Sequence, residues 1–154
     1  MPNSLRIASA TEEMLVRCVR RQIWAARTRL RRDWSEGQYL LVRVESRLAA
    51  LGRVLGELEN KGCDGLDERY PMTVPVDWVW FADRLGERRP FGDEIRIELR
   101  DAWGEHYGFK ILNQTLLPAK NARRVFVHLK KLLPVTFDAL TTPASRRRSE
   151  GRHV

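Results

Sequence analysis

The chain has 154 residues, 43% of them hydrophobic, which is enough for one domain with a core. A formal net charge of +8 favours polyanions or anionic surfaces as partners. Cys18, Cys63 and three histidines show no disulfide-framework or metal-ligand spacing, so free thiols in a reducing compartment are expected. No apolar run approaches the ~18 residues of a membrane span, and Met1 to Ile7 lacks the shape of a signal peptide. The expected protein is soluble and cytoplasmic, with no membrane partner.

In chain order, Ser9 followed by Glu12 reads as a capping box for a helix over residues 10–20, with Leu15, Cys18, Val19 and Gln22 inward. Arg17, Arg20 and Arg21 then face out. Residues 22–26 read as a short strand, and Arg27 to Gly37 as a charged loop containing Trp34. Gln38 to Glu45 and Arg47 to Gly56 form a strand pair joined at Glu45-Ser46, with Gly52 marking a bulge or a close backbone approach. Residues 57–71 read as a long polar loop of the kind that often carries function. Met72 to Phe81 is a strong strand with Val74, Val76, Trp78 and Trp80 on one face. Pro75 suggests an edge or a bulge there. Glu94 to Leu99 alternates and reads as another strand, Asp101 to Gly108 as a loop, and Phe109 to Asn113 as a last strand. Pro118 opens a helix to Leu133, with Ala122, Val125, Phe126 and Leu129 at helical spacing. The expected architecture is α+β: one domain over residues 1–142, a small curled mixed sheet or barrel flanked by helices. A disordered basic tail follows at 143–154.

No glycine-rich phosphate loop and no histidine–carboxylate cluster is present, so no cofactor or metal is implied. The positive signal is aromatic plus arginine. Residues 1–53 carry many arginines and no lysine, and the guanidinium suits planar phosphate contact and stacking on bases. Trp24, at the end of a short strand and followed by Arg27 and Arg29, either fills core or stacks on a base. Trp34 lies in the basic loop between the same two roles. Trp103 and Tyr107 form a possible second stacking wall. A single-stranded or flipped base held between aromatic faces gains roughly 1–3 kcal/mol.

The order of these segments resembles the YTH domain over residues 10–133, and more loosely the related EVE and PUA-like domains. Ala10 to Trp24 is similar to the first helix of that family, leading into its Ile-Trp-Cys-Ser strand. Tyr39-Leu40-Leu41-Val42-Arg43-Val44 is similar to Tyr-Leu-Leu-Phe-Ser-Val, and Gly52 falls on a Cys-Gly-Val element. Val76-Asp77-Trp78-Val79-Trp80-Phe81-Ala82-Asp83 is similar to Val-Arg-Trp-Ile-Phe-Val-Lys-Asp.

The resemblance implies non-catalytic binding of a modified base, N6-methyladenine first, in RNA or flipped from DNA. Trp24 falls on the first cage tryptophan, and the backbone carbonyl of Ala25 would accept from the methylated amine. Tyr70 falls on a second cage position and Gly65 on a third. Glu45 stands in place of a base-contacting Asn, Met14 in place of an Asp, and Leu112 in place of an Arg. Arg27 and Arg29, then Arg20 and Arg21, are the phosphate candidates. The alternatives are an EVE-like reader of modified cytosine in DNA, an enzyme acting on a small nucleoside in the same pocket, and a protein-interaction module. A reader of one domain acts by masking its site or through an effector protein, which the residues do not identify.

Overall fold

The computed structural model describes residues 2–26, 33–59 and 72–135. The elements run β1 (Leu5–Ser9), α1 (Glu12–Arg21), β2 (Ile23–Ala26), β3 (Tyr39–Val44), β4 (Arg47–Val54), β5 (Met72–Phe81), a 3-10 turn (Leu85–Glu87), β6 (Arg89–Pro90), α2 (Asp93–Trp103), α3 (Gly108–Leu112) and α4 (Ala119–Leu132). The strands order as β1-β3-β4-β5-β2, with β6 on β4. β1 runs parallel to β3 and the other pairs are antiparallel. The expected α+β architecture is therefore the observed one: a curled, mixed half-barrel with four helices among the described residues.

Each face of the sheet has its own core. One cluster joins Tyr39, Leu41, Leu51 and β1 to Ile95 and Leu99 of α2 and to Val125, Phe126 and Leu129 of α4. The other joins Leu40, Val42, Val74 and Val76 to Leu15 and Cys18 of α1 and to Trp24 and Trp34. Sheet strands buried on both faces read as near-continuous apolar runs, as β3 and β4 do. α2 and α4 are further joined by buried Asn121, whose Nδ2 donates to Glu98 Oε1 and Asp101 Oδ2, both at 2.9 Å.

Gly52 does what its type suggests. Leu51 sits opposite Trp80 and Gly52 opposite Trp78, so Val79 is an extra residue on β5. A Cβ at Gly52 would collide with Val76 Cγ1 and come within 3.0 Å of Trp78 Cε3. The bulge reverses the side-chain alternation of β5. Trp78 packs with Val74 and Val76, while Trp80 packs on the opposite face, so the expected single row of four is split.

Other expectations are corrected. β1 was not anticipated, because Arg6 interrupts its short apolar stretch. Thr11, not Ser9, caps α1, accepting from the Met14 N–H at 3.2 Å. Gln22 is exposed rather than inward and closes the helix in the left-handed region at φ 57°. Pro75 lies on an interior strand, between β4 and β2. Its carbonyl still accepts from Leu55 at 2.9 Å, so the proline forfeits one hydrogen bond just past the end of β4 and none of those to β2. Residues 94–99 belong to α2, and Phe109 to Leu112 to α3, so both expected strands are helical. The domain limit at 142 and the tail at 143–154 lie outside the described residues.

Candidate nucleic-acid interface

β2 follows α1 directly and, among the described residues, pairs only with β5, on the edge of the sheet. Its register sets Trp24 opposite Val74, Ala25 opposite Thr73 and Ala26 opposite Met72. Thr73 commits both backbone groups to Glu59 on its other side, at 2.6 and 2.7 Å. The N–H and C=O of one strand residue point the same way, and antiparallel pairs alternate between bonded and non-bonded. Ala25 is therefore a non-bonded position, and its carbonyl points away from the β5 ladder. The ladder runs instead through Gln22, which accepts from Val76 at 2.9 Å, and through Trp24 and Ala26. Ala26 and Met72 are paired, and Glu59 bridges the neighbouring Thr73. Arg27 follows Ala26 and Tyr70 precedes Met72 by two residues. Arg27, Arg29, Gly65 and Tyr70 themselves lie outside the described residues.

Trp24 is 1% exposed, and its indole N–H donates to Gln114 Oε1 at 2.9 Å. Its ring meets Trp78 edge-on, with centroids 6.5 Å apart at 65°. Trp78 in turn donates to the Cys18 carbonyl at 3.2 Å. Trp34 is 2% exposed and carries the Arg6 guanidinium 3.9 Å above its ring centroid. The two tryptophans are linked through Arg6. This fully buried side chain donates from Nη1 to the Gln114 carbonyl (2.8 Å) and Asp33 Oδ1 (3.2 Å), and from Nη2 to Gln38 Oε1 (2.8 Å) and the Asp33 carbonyl (3.2 Å). Gln114 sits in the left-handed region at φ 53°, which turns its side chain to Trp24 while its carbonyl meets Arg6. Sequence reasoning missed Arg6 and Gln114, since neither belongs to a motif.

The remaining candidates fall elsewhere or stand apart. Arg20 and Arg21 are exposed in the last turn of α1, beside β2, where they also complement the helix dipole. Glu45 is exposed in the β3–β4 turn at φ 51° and lines a shallow recess with Arg47, Phe91 and Arg96. That turn lies beyond Ala50, which is opposite Phe81, whereas Trp24 is opposite Val74. The hairpin register thus sends Glu45 to the other end of β5 from Trp24, and the two do not form one pocket. Met14 is half-buried on α1, and Trp103 and Tyr107 pack against the α2–α4 core rather than forming an open wall. Among the described residues no group of three His, Cys, Asp or Glu side chains could hold a metal ion, and no helix is long and apolar enough to cross a membrane.

The overall fold is similar to that of solved YTH domains. The chain superposes on the YTH domain of mmi1 in complex with RNA with a TM-score of 0.58 at 13% identity, covering 84% of this chain and 85% of that one. It matches the YTH domain of the Zygosaccharomyces rouxii MRB1 protein in complex with N6-methyladenosine RNA with a TM-score of 0.59 at 12% identity, covering 85% and 89%. At these identities the likeness is one of fold. No family model matches the sequence, and neither does any curated protein.

Proposed function

We propose that this domain binds RNA without catalysis and reads a modified base, N6-methyladenine first, where β2 meets the start of β5. The observation that carries this is the placement of Ala25. An edge-strand carbonyl turned out of its ladder, next to Trp24, is positioned to accept from a base amine once Ala25, like Trp24 only 1% exposed, is uncovered. Structures of the same fold bound to RNA, one of them to N6-methyladenosine RNA, support it. Trp24 and Tyr70 sandwich the base, the Ala25 carbonyl takes the amine proton, and Arg27 and Arg29 take the adjacent phosphates, with Arg20 and Arg21 adding to the field. Arg6, Trp34 and Gln114 hold Trp24 from behind. Trp24 is covered, so a base reaches its ring only as the cover parts, and association is slower than simple encounter.

The test is a fluorescence anisotropy titration at fixed moderate salt. Matched RNA and DNA oligonucleotides carry adenine, N6-methyladenine, cytosine or 5-methylcytosine at one position. Wild type is compared with Trp24→Ala and, because truncating a buried indole risks the fold, with Tyr70→Ala. The expected result is tightest binding to the N6-methyladenine RNA, weakened roughly 5- to 150-fold by loss of one stacking ring. Equal binding to every oligonucleotide, unchanged in Tyr70→Ala, would overturn the proposal. Preference for 5-methylcytosine DNA would instead assign the modified-cytosine alternative.

A further inference from the structure

Where α3 packs beside β1 and the end of β3, a second feature combines an open aromatic side chain with an arginine. α3 presents Phe109, 71% exposed, and Leu112, 69% exposed, one helical turn apart. With Arg43, Glu105, His106 and Gly108 they line an open cavity of about 500 Å³. No atom lies within 4 Å of where a Cβ on Gly108 would be, so the backbone itself is approachable there.

Arg43 is the polar side of this cavity, half-buried near the end of β3, whose other residues are all buried. Its Nε donates to Ser9 Oγ at 2.8 Å, and its guanidinium stands 5.0 Å from the Phe91 ring centroid. Among the described residues it makes no ion pair, and Glu105 lines the same cavity without reaching it. The second cation on Phe91 is Arg96, at 5.5 Å. Burial, reinforced by Arg96 and opposed by Tyr107, lowers the Arg43 pKa from its ordinary value. Among the described residues this half-buried guanidinium has the Ser9 hydroxyl as its side-chain hydrogen-bond partner and no carboxylate within ion-pair distance.

We propose that this cavity is a nucleotide subsite for single-stranded RNA, with a base stacked on Phe109 against Leu112 and its phosphate on Arg43. Two features favour RNA over a protein partner. The chain as a whole is strongly basic. The cation also lines the same cavity as the exposed ring of Phe109, which matches a phosphate joined to a base. The subsite adds a contact beyond the modified base and shares with the proposed function only the RNA ligand.

The experiment measures binding of fluorescein-labelled 4-nucleotide and 10-nucleotide single-stranded RNAs, each with adenine or N6-methyladenine. Wild type, Phe109→Ala, Arg43→Gln and Arg43→Lys are compared, with thermal melts of each. Phe109 is exposed, so its truncation leaves the fold intact. Phe109→Ala is expected to weaken the 10-nucleotide RNA about 5- to 100-fold while leaving the ratio of methylated to unmethylated binding unchanged. Arg43→Gln is expected to weaken it and to reduce the salt slope by about 1, with partial recovery in Arg43→Lys. Unchanged 10-nucleotide binding in Phe109→Ala and Arg43→Gln, with unchanged melts, overturns the subsite. So does self-association that Phe109→Ala abolishes without touching RNA affinity, which would assign the face to a protein. Loss of binding in Phe109→Ala with no preference for N6-methyladenine in wild type leaves the subsite standing and removes the modified-base reading. The reverse pattern does the opposite.

Discussion

Arg6 shows how much one side chain can organise without leaving a trace in the sequence pattern. Its acceptors lie 27, 32 and 108 residues away along the chain. A single arginine between Leu5 and Ile7 reads locally as a break in an apolar run. In the fold it is fully buried, stacked on Trp34 and bonded to three residues. Replacing it with Met would leave the Gln114 carbonyl short of a donor, while Gln38 Oε1 keeps the Ser35 N–H and the Asp33 carbonyl keeps Gln38 Nε2; one orphaned buried group costs about 1–3 kcal/mol. Arg6→Met is expected to destabilise the domain by about 1–3 kcal/mol in urea denaturation followed by tryptophan fluorescence. Arg6→Lys should recover only part, since an ammonium cannot present two parallel pairs of donors. Wild-type stability in Arg6→Met would show that the network contributes nothing net. Trp24 was legible as a special residue from its arginine neighbours. That it lies buried against Trp78 and Gln114 was not, because both partners come from distant segments.

At the level of elements, the two helices read as strands share one cause. Glu94-Ile95-Arg96-Ile97-Glu98-Leu99 alternates with period two, and over six residues that is also compatible with a helix. Ile95 and Leu99 are four apart and face the core with Glu98, while Ile97 is 55% exposed. A strand would put Ile95 and Ile97 on the same face and make them equally sensitive. In the helix they separate. Ile97→Lys is expected to change stability by no more than about 0.5 kcal/mol, whereas Ile95→Lys buries a charge and should unfold the domain or cost several kcal/mol. Equal sensitivity in chemical denaturation would contradict the helix. α3 was misread for the same reason, in a segment of five residues where Ile111 is the one buried side chain. Strands with long apolar runs, β3, β4 and β5, and the regularly spaced α4 were legible because several periods agree.

For the whole molecule, the sheet divides the work. α2 and α4 cover one face and complete its core, while α1, β2 and the Arg6–Trp34–Gln114 network cover the other. One proposed RNA site lies on the second face at the β2 edge, and the other lies at α3, whose Ile111 packs into the core of the first. With a net charge of +8, binding is expected to weaken steeply with salt. Contact with about three to five phosphates gives a slope of roughly −2 to −3.5 in log affinity against log salt for a single strand. A slope near zero across 50–300 mM salt, measured by anisotropy with the 10-nucleotide RNA, would remove phosphate contact from both proposals.

By itself the sequence determined the class of fold, the order of the major strands, the Gly52 bulge and the final helix, because these rest on local periodicity and on what a missing side chain permits. It also determined the basic character of the chain, which is composition alone. Only the tertiary structure decided that Arg6 and Gln114 hold the two tryptophans, that Glu45 stands at the other end of β5 from Trp24, and that the Ala25 carbonyl lies outside its ladder. Those outcomes depend on strand register and on partners up to 108 residues apart, and neither is written in any short stretch of the chain.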